Sequence, residues 1–265
     1  PTTWDELQEV ARQVAEQSGT RFGFVFQGAE YEGGVVNGLE YIWTHGGDAL
    51  DPQDPSVVTI GSQEAIAGLT TERSMVEEGV SPEAVSTYQE MDAHTAFLNG
   101  DAVFMRNWPY VYGLLADPET SSISPEQVGI APLPVASPGD QSSSCAGGWN
   151  LFINAASPNP DAAWTLIEYL AAPEQQKERS LEGGYLPTLA GLYEDREIVD
   201  NVPVIALGRE AIQNVRSRPV SPYYSDMSLV LAAEFNASLR GAKSPEEAAR
   251  TGQSELERII EQGSA

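Results

Sequence analysis

A chain of 265 residues with 41% apolar content can bury at least one sizeable core and is long enough to contribute to two lobes. Its 39 acidic residues against 14 basic ones give a formal net charge of -25, a surface that repels phosphate backbones and argues against any nucleic-acid partner. No apolar run approaches the roughly 20 residues that cross a bilayer, and Pro1-Thr2-Thr3-Trp4-Asp5 read as neither a signal peptide nor a basic transit segment.

The first predicted element is a helix. Thr3 stands at its cap with Glu6 three residues on, and Trp4, Leu7, Val10, Ala11 and Val14 recur at helical spacing before Gly19. Alternating bulky residues in Arg21 to Gln27 predict a strand, and Val35, Val36, Leu39, Ile42 and Trp43 a second helix ending at Gly46-Gly47. His94 to Asn99 finish another helix. Gly100 punctuates it, Asp101 to Met105 read as a buried strand, and Trp108-Pro109 end that strand. Val128 to Pro134 is expected to be a short strand, followed by the Pro/Gly/Ser-rich loop Ala136 to Ser144 and a further strand at Trp149 to Ala155. From Asp161 the pattern turns helical, with Ala162, Ala163, Leu166, Ile167 and Leu170 on one face. In the last helix Ser244 caps, Pro245 takes the first turn and Glu247 completes the box. The alternation of strands and helices predicts an α/β fold.

Two lysines, Lys177 and Lys243, and acids scattered along the chain fit a surface adapted to high salt; an ordinary acidic extracytoplasmic protein is the alternative. The single Cys145 forbids an internal disulfide and gives no zinc spacing. His45 and His94 are too far apart to read as a metal pair. No nucleophile elbow and no phosphate loop is present, so no catalytic residue, metal or cofactor is expected.

Three stretches together carry a family resemblance: Ala96 to Tyr110 (AFLNGDAVFMRNWPY), Gly147 to Asn159 (GGWNLFINAASPN) and Arg218 to Ser228 (RPVSPYYSDMS). In this order, with the opening Thr3-Trp4-Asp5-Glu6-Leu7 and the Tyr31-Glu32-Gly33 turn, the chain resembles the extracellular sugar-binding proteins of ABC importers, the maltose- and trehalose/maltose-binding type. The resemblance implies a periplasmic binding protein type II-like two-lobe fold. It places 1–127 in the second, C-terminal lobe, 128–172 as a segment crossing back to the first, N-terminal lobe, and 173–265 as the helical remainder of the second. Family members carry an α/β stretch before the equivalent of Pro1, so the chain is expected to be a fragment or processed product. The implied partners are a small-molecule carbohydrate and the permease subunits, with the protein monomeric and extracytoplasmic, either periplasmic or a cell-surface lipoprotein.

A sugar offers apolar C–H faces and a rim of hydroxyls, which call for aromatic platforms beside planar or bidentate hydrogen-bonding groups. Trp108 and Tyr110 straddle a proline just past a strand end, and Trp149 follows Gly147 and Gly148, where a ligand can approach the backbone. From the residues alone core packing is the better reading of each aromatic, and the resemblance favours the cleft. Arg218 precedes a proline in a polar loop and offers a guanidinium fork; it reads as well as a surface arginine pairing with one of the abundant carboxylates, and Arg216 is a competing candidate. The resemblance also implies sugar-facing roles for Tyr31 and Glu32; Glu32 reads as well as a first-turn acid. Tyr185 and either Tyr223 or Tyr224 are further cleft candidates, whereas Trp43 and Trp164 fall on apolar stripes and are expected in the core. Leu229, Val230 and Leu231 follow Met227-Ser228 where the maltose-binding relatives place a tryptophan, a departure that bears on linear maltodextrins. A binding protein for another solute, or a glycoside hydrolase using paired carboxylates, is the alternative.

Overall fold

Thr3 and Glu6 open the chain's first helix by capping each other: Thr3 Oγ1 accepts the Glu6 N–H, and Glu6 Oε2 accepts the Thr3 N–H, both at 3.3 Å. The computed structural model describes residues 1–263. Its elements in chain order are α1 (Trp4–Ser18), β1 (Phe22–Val25), α2 (Glu32–Thr44), α3 (Gln63–Glu77), α4 (Glu90–Leu98), β2 (Ala102–Met105), α5 (Val111–Leu114) and β3 (Ser144–Cys145). There follow α6 (Pro160–Ala171), α7 (Pro173–Gly183), α8 (Arg196–Asn201), α9 (Pro203–Ala211), β4 (Val215–Arg216), α10 (Tyr224–Leu239) and α11 (Pro245–Gly263). The chain divides into two compact units: Pro1–Asn107 with Pro132–Cys145 and the chain from Asn214 onward, and Trp108–Ala131 with Ala146–Gln213.

In the first unit α1 stops at Gly19, whose φ of +74° is the left-handed cap that a glycine takes without a Cβ penalty. The helix buries Trp4, Leu7 and Ala11. β1 and β2 pair in parallel, with Phe22 opposite Ala102 and Phe24 opposite Phe104, which requires the long helical crossover α2–α4 between them. Around this pair the Trp4 ring stacks on Tyr41 at 4.2 Å and Phe24 on Phe26 at 5.3 Å, and Trp4 Nε1 donates to Thr44 Oγ1 at 3.0 Å. Each large apolar side chain so buried contributes roughly 1.5–3 kcal/mol. α2 is buried along nearly its whole length because α3 and α10 cover it. At the far end of the chain Ser244 and Glu247 make the expected reciprocal cap of α11. Trp43 lies in the core as its stripe predicts.

The second unit is helical, spanning α5–α9, and its core is Tyr193, Ile198, Val202, Val204 and Ile205. Asp195 caps α8 by accepting the Glu197 and Ile198 N–H groups and also holds Lys177 at 2.7 Å. Three expectations are corrected here. Neither Val128 to Pro134 nor Trp149 to Ala155 is a strand: Val135 alone bridges to Thr3, and the second stretch runs open to solvent. A strand needs a ladder partner for its N–H and C=O groups, and among the described residues neither stretch has one. Trp164 is 53% exposed rather than core, because α6 buries none of its residues.

Candidate functional site

Glu32 begins α2 immediately after the turn that leaves β1, and three donors from the far end of the sequence converge on its carboxylate. Arg218 Nη1 donates to Oε1 at 2.6 Å, Tyr224 Oη donates to the same oxygen at 2.6 Å, and Ser228 Oγ donates to Oε2. The arginine and the glutamate keep 34% and 38% of their side-chain surface in solvent, so the pair is open to a ligand on one side. Burial, the largest single effect, works against the Arg218 charge, but its hydrogen bond to Glu32 and the charges of the acidic groups around it together outweigh burial and raise the guanidinium above its ordinary value. Burial first, and Glu32 second, push the Tyr224 hydroxyl up, which keeps it a proton donor throughout the physiological range. The Tyr31 hydroxyl, beside Glu32 in sequence, is buried.

The neighbouring candidates have other partners. Arg216, the competitor of Arg218, pairs with Asp48 and lies over the Trp43 ring at 5.3 Å. Like Arg218 it is held in an ion pair, and it keeps a similar 32% of its side-chain surface in solvent; it stands apart in that its partner is Asp48 and not the Glu32 carboxylate. Tyr223 donates its hydroxyl to the Gly263 carbonyl, so Tyr224 is the member of that pair that joins the cluster. Ser228 is a member the sequence does not announce; its one signal is a place four residues after Tyr224, hence on the same face of α10.

Beneath Glu32 lies a second polar network. Arg106 grips Glu40 with Nε to Oε2 at 2.7 Å and Nη2 to Oε1 at 2.8 Å, and its Nη1 reaches Gln27 Oε1 at 3.0 Å. Gln27 returns a bond to the Arg106 carbonyl, and Asn37 donates to Gln27. The Cys145 N–H donates to Glu40 Oε1 at 2.9 Å, and burial pushes the Cys145 thiol up to about 12, so it stays protonated and inert. Glu40 and Arg106 escape sequence reasoning for one reason: each is an isolated charge inside or just after an apolar run. That oddity is the signal that marks them.

In the second unit Trp108, Tyr110, Gly148 and Trp149 sit near the start of its two segments. Trp108 and Tyr110 are half-buried in the turn that follows β2, and the Trp108 ring lies against Gly147, where a Cβ would come within 2.8 Å of it. Gly148 is exposed with open space around it, and Trp149 is fully exposed. Tyr185 is exposed as well. Among the described residues no cluster of three or more His, Cys, Asp or Glu side chains has metal-holding geometry. His45 is spanned by the Tyr41 carbonyl at 2.7 Å and Thr71 Oγ1 at 2.9 Å, a packing role.

The sequence profile of the bacterial extracellular solute-binding proteins matches residues 1–177. A Deinococcus radiodurans protein named a probable ABC transporter-binding protein is 33% identical over 99% of this chain and 63% of its own length. A maltotriose-binding protein of Pyrococcus abyssi is 27% identical over 84% of this chain and 46% of its own length. Among solved structures, maltose-bound MalE3 of T. maritima matches with a TM-score of 0.91 at 38% identity, over 98% of this chain and 66% of that one. The likeness bears out the fold class read from the sequence, that of the periplasmic binding proteins, while the chain spans under two thirds of each of these relatives.

Proposed function

The chain belongs to the bacterial extracellular solute-binding protein family, and we propose that it serves an ABC importer as the carbohydrate-binding component. Members of the family bind solutes and are not enzymes. The observation that carries the carbohydrate reading is the half-open Glu32 cluster, in which a guanidinium, a phenol and a hydroxyl are held on one carboxylate. Such a group offers fixed donors and an acceptor to vicinal hydroxyls, and its charges are already balanced, so a neutral polar ligand suits it better than an ion. Tyr31 lies beside this group. Trp108, Tyr110 and Trp149, with Gly148 leaving room beside the backbone, supply apolar ring faces suited to sugar C–H surfaces. Maltose in the T. maritima structure and maltotriose in the name of the P. abyssi relative support a gluco-oligosaccharide. The protein then acts outside the cytoplasm as a monomer and hands its solute to permease subunits. No helix among the described residues is long and apolar enough to cross a membrane.

The test is mass spectrometry of the full-length protein as purified from cells, followed by a thermal-shift panel of maltose, maltotriose, trehalose, amino acids and polyols. A co-purified sugar and a melting temperature raised by sugars alone support the reading. A response confined to amino acids, or hydrolysed sugar in the mixture, overturns it.

A further inference from the structure

Glu32 and Glu40 lie two turns apart on α2, and both hold the segment that carries Arg218. Glu32 does so directly. Glu40 accepts the Cys145 N–H, and Cys145 pairs in parallel with Arg216 in the two-residue ribbon β3–β4. Arg218 follows that ribbon by two residues. We propose that Glu40 is a positioning residue for Arg218: its buried carboxylate, locked by the Arg106 fork, fixes the β3–β4 ribbon and so sets where the Arg218 guanidinium meets Glu32.

A two-residue ribbon has too few ladder bonds to hold itself, so its place must come from outside anchors. Two exist. Asp48 and the Trp43 ring hold Arg216 from one side, while Glu40 holds Cys145 from the other. The Glu40 anchor is the stiffer one, because its side chain and that of Arg106 are only 4% and 6% exposed and two parallel bonds join them. A buried pair is weak ground for stability by itself, but it does fix a single geometry when all its bonds are satisfied. Here both carboxylate oxygens and all three guanidinium nitrogens are engaged, with Gln27 and Asn37 completing the set. Moving the ribbon by one register step would break the Cys145 bond and swing Arg218 away from Glu32.

This inference rests on Arg218 being a sugar contact, so its test has two arms, one of which needs no sugar. Arg106→Lys keeps the charge balance but loses the fork; Glu40→Gln removes the charge; Leu69→Ala, a fully buried core position on α3, is the control for plain destabilisation. In the full-length protein, hydrogen exchange of the Cys145 amide is read relative to the α2 amides, and maltose affinity is read by calorimetry at a temperature where every variant is folded. Arg106→Lys is expected to raise the exchange ratio about tenfold and to weaken maltose binding about fivefold, with Leu69→Ala changing neither. Glu40→Gln follows Arg106→Lys if it folds. An unchanged ratio shows that Glu40 does not hold the ribbon, and a raised ratio with unchanged affinity reduces Glu40 to a structural role; either result overturns the proposal. A wild-type protein that ignores maltose contradicts the carbohydrate reading instead, and the exchange ratio still tests the anchor.

Discussion

Glu72 on α3 should make the protein lose stability as pH rises, and Glu72→Gln should abolish that loss. The carboxyl is buried, 2% exposed, and burial raises its pKa from 4.5 to about 8. Tyr41 stands in the same part of the core, and burial first, then the Glu72 charge, push its hydroxyl up. A folded-state pKa above the unfolded one means that the favourable contribution is fully present below about pH 4.5 and is lost as pH climbs toward 8. At about 1.36 kcal/mol per unit, the wild type should lose about 3–4 kcal/mol relative to Glu72→Gln between pH 5 and pH 8. Urea unfolding of both proteins at four pH values and fixed ionic strength measures the difference directly. A stability gap that stays within about 1 kcal/mol over that range would show that the site is hydrated and the reasoning wrong.

Trp149→Ala should weaken sugar binding about tenfold, through lost stacking and lost area, and leave the melting temperature unchanged, since the indole is fully exposed in the fold; a mutant that unfolds marks a core residue. The -25 charge should make the melting temperature rise with sodium chloride up to about 1 M and then level relative to an excluded osmolyte, as the Debye length falls from about 10 Å to about 3 Å. A flat or falling curve would dismiss the high-salt reading of the surface. The exposed Phe152, Trp164, Leu166 and Tyr169 should give this 265-residue chain strong ANS fluorescence that Phe152→Ser with Trp164→Glu lowers by half or more. Equal fluorescence in the variant would place the dye elsewhere.

The parts of the fold that read well from sequence are those whose signals are local. The Thr3–Glu6 and Ser244–Glu247 caps, the Gly19 stop and the alternation in Phe22 to Val25 all depend on neighbours within a few residues, and each appears where the pattern puts it. The strand expected at Trp149 to Ala155 failed because strand formation depends on a partner that local pattern cannot supply. Trp164 failed for a related reason: an apolar stripe states that a face wants cover, not that cover is present. In the candidate site, the sequence points to Glu32 and Arg218 separately, but their pairing spans 186 residues and only the fold brings them together. The choice of Tyr224 over Tyr223, and of Arg218 over Arg216, likewise rests on side-chain direction, which one-dimensional spacing does not encode.

Calorimetric titration of the full-length protein with maltose, beside Arg218→Lys, tests the carbohydrate reading of the Glu32 cluster most directly. Lysine keeps the charge opposite Glu32 but loses the planar fork, so stability should hold while recognition suffers. The account predicts saturable binding by the wild type and affinity at least about tenfold weaker in the variant, with melting temperatures within about 2 °C. Equal affinities for maltose in the two proteins would contradict it.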